Sequence, residues 1–62
     1  MRVGDLIKVR VEWEFCYPRY KGVIGLIVEI KILRNGKRIR WLHSKVLGVE
    51  YTVMPHDVLE VI

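Results

Sequence analysis

Cysteine is almost absent from this chain: Cys16 stands alone among 62 residues. One thiol cannot cross-link a chain to itself, which excludes a disulfide scaffold, and no Cys/His set at metal-ligand spacing takes its place. Long apolar runs are missing too. Nothing approaches the ~20 residues of a membrane-spanning helix, and Met1-Arg2-Val3-Gly4-Asp5 lacks the apolar stretch of a signal peptide, so a soluble, cytoplasmic product with a reduced thiol is expected. No window sustains a helical period, and there is neither a repeat nor a low-complexity segment, so a helix bundle, a solenoid and a disordered linker are all disfavoured. The length allows one domain, residues 1–62. A chain this short hides only ~60% of the surface its unfolded form exposes, so stability is the first constraint on it.

What the chain does have is apolar material and a modest excess of positive charge. Hydrophobic residues make up 52%, enough for a compact core. Eleven Lys and Arg against seven Asp and Glu give +4, which favours acidic partners or nucleic acid without demanding either. The patterning is that of strands. From Leu6 to Trp13, Ile7, Val9, Val11 and Trp13 fall on one face and Lys8, Arg10 and Glu12 on the other, a half-buried strand introduced by the turn residues Gly4-Asp5. Glu14 to Lys21 breaks the alternation with Phe15, Cys16, Tyr17, Pro18, Arg19 and Tyr20 and reads as an aromatic-rich loop, extended at Tyr17 because Pro18 follows.

A second strand runs from Leu26 to Leu33, with Leu26, Val28, Ile30 and Ile32 on the inner face. It stops at Arg34-Asn35-Gly36-Lys37, and Asn-Gly between two strands predicts a type I′ turn, which requires φ > 0 at both central residues. That loop pairs Ile32 with Ile39, Lys31 with Arg40, Ile30 with Trp41, Glu29 with Leu42 and Val28 with His43, and buries Trp41 among Val9, Val28 and Ile39. Ser44-Lys45 is read as a turn. A further strand, Val46 to Val53, carries Leu47, Val49, Tyr51 and Val53 on one side and Gly48, Glu50 and Thr52 on the other. Met54-Pro55-His56-Asp57 predicts one turn of 3₁₀ helix before a closing strand from Val58 to Ile62, because Pro55 cannot donate to a ladder.

Five short strands, a long loop after the first, a tight hairpin and a 3₁₀ turn before the last are the order of an all-β, five-stranded SH3-like small barrel. Within it, Lys21-Gly22-Val23-Ile24-Gly25-Leu26-Ile27-Val28-Glu29-Ile30 resembles the KOW motif of ribosomal and transcription-elongation proteins, in which glycines let the backbone turn sharply into a strand. The frame Val3-Gly4-Asp5-Leu6, Gly22-Val23-Ile24-Gly25, Asn35-Gly36, Trp41 and Val58 to Ile62 is also similar to small SH3-like proteins encoded by tailed phages. That resemblance implies a host-cytoplasmic or virion location. The fold hosts many functions, so it speaks for architecture before activity.

No catalytic constellation is visible. Cys16, His43 and Asp57 share no local motif, nor do Cys16, His43 and His56 as metal ligands, so neither an enzyme nor a cofactor or small-molecule substrate is expected. Two surfaces remain. The four aromatics Trp13, Phe15, Tyr17 and Tyr20, with Pro18, Arg19 and Lys21 beside them, are too many for a core already supplied by three strand faces. Trp13 and Phe15 are expected inside, leaving Tyr17, Arg19 and Tyr20 as an outward patch for a protein partner or a second copy. Lys8, Arg10, Lys31, Arg38 and Arg40 would form a basic sheet face able to track phosphates, although Glu12, Glu29 and Glu50 interleave with them. The first reading is a non-enzymatic binding module; the alternative is a KOW-like nucleic-acid-binding domain.

Overall fold

The computed structural model describes residues 1–45 and 48–62. Five antiparallel strands form one sheet: β1 (Leu6–Val9), β2 (Gly25–Leu33), β3 (Gly36–Lys45), β4 (Gly48–Pro55) and β5 (Leu59–Val61), in the order β4-β3-β2-β1-β5. Three 3₁₀ turns, Val11–Trp13, Pro18–Tyr20 and His56–Val58, complete the described structure, the last of them immediately before β5. The sheet does not close, so β4 and β5 both remain edges. Ile7, Val9, Ile27, Ile39, Trp41, Met54, Val58 and Leu59 make the core, with Tyr17, Tyr20, Val23 and Ile30 packed against it.

The five strands and the 3₁₀ turn before the last of them are as expected, but four local expectations are corrected. First, β1 ends at Val9 rather than at Trp13. The Arg10 amide donates to the Val58 carbonyl at 2.8 Å and the chain then coils into a 3₁₀ turn, which leaves Val11 exposed and Trp13 37% exposed. Second, the β2–β3 turn is Arg34-Asn35, with Leu33 opposite Gly36. Only glycines have positive φ among the described residues, so Asn35-Gly36 is not a type I′ turn; Gly36 takes φ +135° just after it. The pairing accordingly sets Ile30 opposite Ile39, Lys31 opposite Arg38 and Glu29 opposite Arg40, displaced by two residues from the expected register. A displacement by two keeps every side chain on its own face, which is why the buried set of β3 still comes out as expected.

Third, β2 carries a bulge between Ile27 and Glu29, and Trp41 lies opposite Ile27 instead of Ile30. An extra residue in one strand swaps the faces beyond it. Gly25 and Ile27 therefore point inward before Val28, and Ile30 does so after it, while Leu26 is exposed and Ile32, opposite Lys37 at the hairpin end, is 76% exposed.

Fourth, β3 continues through Ser44-Lys45, and β4 turns its apolar side to solvent. Ile39 pairs with Met54, Trp41 with Thr52 and His43 with Glu50. Because β3 buries Ile39, Trp41 and His43, their partners must also face inward, and Val49, Tyr51 and Val53 are turned out. Leu47, expected on that same side, lies outside the described residues.

Candidate interaction surface

Pro18 opens the 3₁₀ turn that carries Tyr17, Arg19 and Tyr20, and the Tyr20 amide closes it on the Tyr17 carbonyl at 2.9 Å. The turn folds back over the inner side of β3 and β4. There the Tyr20 ring meets His43 edge-on at 5.2 Å and Trp41 at 5.7 Å, and its hydroxyl lies 3.3 Å from Thr52 Oγ1. Thr52 Oγ1 is in turn 2.8 Å from His43 Nε2, so the buried His43 ring is satisfied by a hydroxyl on the neighbouring strand. Arg19 stays in solvent, reaches Glu50 at 3.5 Å and lies over the Tyr20 ring at 5.7 Å. The three residues are thus brought together, but Tyr17 and Tyr20 are half-buried against the core and only Arg19 projects freely. Phe15, expected inside, is 82% exposed.

The five basic residues divide into two groups. Lys8 and Arg10, at the end of β1, reach the two carboxylate oxygens of Glu60 at 3.7 and 3.9 Å, and Arg10 Nε donates to the Leu59 carbonyl at 3.2 Å. Lys31, Arg38 and Arg40 stand together on the outer face of β2 and β3. They line, with Glu29, Leu33, Tyr51 and Val53, a shallow groove of about 510 Å³. In it the Arg40 guanidinium sits 4.8 Å from the centre of the Tyr51 ring, a cation–π arrangement that holds a long side chain flat against the sheet.

Beside this groove runs an apolar surface formed by the β4 residues expected to share one side of their strand. Val49, Tyr51 and Val53 of β4 are 61%, 54% and 58% exposed. Leu6 is directly opposite Leu26, Leu26 opposite Leu42, and Leu42 opposite Tyr51, so one apolar row crosses four strands on the outer face. The alternation of Val49, Tyr51 and Val53 was the available signal. What the sequence does not carry is the register with β3 that turns it outward.

Cys16 is an exposed loop thiol, His43 is inside the core, and Asp57 pairs with His56 at 2.9 Å in the last 3₁₀ turn. Among the described residues no three His, Cys, Asp or Glu side chains are grouped as metal ligands. A cleft of about 420 Å³ near that turn, lined by Arg10, Glu12, Trp13, Lys37, His56 and Asp57 among others, mixes both charge signs. Among the described residues no helix is long and apolar enough to cross a membrane. No protein-family model matches this chain, and neither a curated protein nor a solved structure matches it.

Proposed function

We propose that this chain is a non-enzymatic binding module, a small SH3-like domain of the kind encoded by tailed phages, that docks a protein surface on the outer face of its sheet. The observation that carries the reading is the outward row of Val49, Tyr51 and Val53 on β4. Three large apolar side chains at alternate positions add nothing to the core while they face water, and covering them is favourable at ~25 cal/mol per Å². Tyr51 adds an exposed aromatic ring to that row, the kind of side chain in which binding energy concentrates. The loop that carries Tyr17, Arg19 and Tyr20 lies over the inner side of the sheet, where Arg19 pairs with Glu50, so it stands apart from this surface.

A second reading, nucleic-acid binding in the manner of a KOW domain, draws on the same face. Lys31, Arg38 and Arg40 would neutralise phosphates while Tyr51 offers a ring for a base. Paired double variants separate the two. Tyr51→Ser with Val53→Ser should abolish capture of protein partners and leave the strand circular-dichroism signature intact, whereas Arg38→Ser with Arg40→Ser should leave capture unaffected. If instead the arginine pair removes binding to random duplex or single strands, and that binding weakens steeply with added salt, the nucleic-acid reading replaces the first.

A further inference from the structure

The two open edges of the sheet are not alike. β5 is 3 residues long and carries Glu60, the length and charge by which edges are normally protected from strand addition. β4 is 8 residues long, has no Lys or Arg, and meets proline only at its last residue. Its single charge, Glu50, is turned to the inner side and held by Arg19. In an antiparallel ladder alternate residues of an edge strand aim their N–H and C=O groups away from the sheet, so β4 offers an undefended row of backbone donors and acceptors.

From the sequence of that edge we infer that its occupant is a second copy of this chain, paired antiparallel about a two-fold axis at Tyr51. The inference concerns the edge of β4 and goes beyond the docking reading, which concerns the outer face beside it. A two-fold axis needs a self-complementary edge, and this register supplies one. Val49 falls opposite Val53 of the second copy, and Tyr51 opposite its own equivalent. Glu50 falls opposite Thr52, so no like charges meet. An axis at Glu50 would instead set Glu50 against itself, and one at Thr52 would set Pro55, which has no N–H, against Val49. With the axis at Tyr51 the apolar row Leu6, Leu26, Leu42, Tyr51 runs on into the same row of the second copy. Arg40, opposite Val53, finds Ser44 rather than a cation beyond the axis, since Val53 meets Val49 and Val49 pairs with Ser44. In this register no charged residue of β4 stands directly opposite a like charge.

The full chain in solution tests this directly. Sedimentation across rising concentration should show the mass doubling from 7.4 kDa, and Val49→Lys with Val53→Lys should hold it at the monomer while the strand signature persists. The register is read by cross-linking in a Cys16→Ser background. Tyr51→Cys should oxidise to a disulfide-linked pair, because directly opposite residues have Cβ atoms ~4.5–5.5 Å apart. Val53→Cys alone should not, yet mixed with Val49→Cys chains it should link to them. A wild-type chain that stays monomeric, or a dimer in which Val53→Cys links to itself and Tyr51→Cys does not, overturns the inference. The docking reading would outlive a monomeric result if Tyr51→Ser with Val53→Ser still removed capture of other proteins.

Discussion

Gly25 and Trp41 show how tightly single residues constrain this core. The indole of Trp41 is fully buried and lies across the backbone of Gly25. A Cβ at residue 25 would fall 2.6 Å from Trp41 Cζ3 and 2.8 Å from the Leu42 carbonyl oxygen, closer than such atoms can approach. The carbonyl belongs to the paired strand and cannot rotate away. Gly25→Ala should therefore cost about 3 kcal/mol, the upper part of the usual range for overpacking. The thermal midpoint should drop by roughly 10–20 °C, and emission from Trp41, read in a Trp13→Phe background, should shift to the red. An unchanged midpoint would show that the ring has room to move. The sequence pointed to this glycine as part of a KOW-like turn, and the structure supplies a second reason for it, the ring laid over its backbone. The half-buried cluster of Tyr20, His43 and Thr52 was not legible. Its members lie far apart in sequence and carry no shared motif, and only the β3–β4 register and the folded-back loop bring them together.

At the scale of elements, strand existence was legible and strand facing was not, for reasons that can be assigned. Leu26-Ile27-Val28 is continuously apolar, so either parity could be buried, and the bulge at Val28 uses both. In β4 the apolar parity faces water because its partner imposes the choice: Trp41 opposite Thr52 and Ile39 opposite Met54 leave Val49, Tyr51 and Val53 outside. A strand can be read as amphipathic from its own residues, but which side is buried is decided by the neighbour's register. The hairpin makes the same point. Asn35-Gly36 marks the turn, yet the two central residues are Arg34 and Asn35, and glycine serves at the position after them, where φ is +135°. Gly36→Val should still destabilise by ~1 kcal/mol or more, since a β-branched side chain is forced to positive φ. Open space does not relieve this: the nearest atom to an added Cβ is His56 Cε1 at 3.5 Å, so the cost is conformational and not steric. Denaturant midpoints of Gly36→Val and Gly36→Ala separate these, because at φ +135° any L side chain is strained and alanine should lose most of what valine loses.

The whole molecule has one small core and a large apolar exterior. Among the described residues, eight buried hydrophobic side chains stand against exposed ones that include Phe15, Ile32, Val49, Tyr51 and Val53. Below ~70 residues a single core rarely supplies more than ~3–5 kcal/mol, and the lone Cys16 offers no covalent supplement. A chain so built gains most from anything that binds only its folded form. Pairing of β4 edges does that, since β4 exists as an edge strand only when β3 is in place beside it. Binding to the native state stabilises by mass action, so the thermal midpoint should rise with protein concentration. The expected pattern is a midpoint that climbs over a hundredfold dilution series for the wild-type chain and stays level for Val49→Lys with Val53→Lys. The two curves should converge at the dilute end, where the wild type is monomeric and the two lysines, on exposed positions, cost the isolated fold little. A level curve for the wild type would place all of the stability in the monomer's core. Curves that remain apart at the dilute end would mean instead that Val49 and Val53 support the single sheet, through cross-strand contact with Ser44 and Arg40, before any second copy arrives.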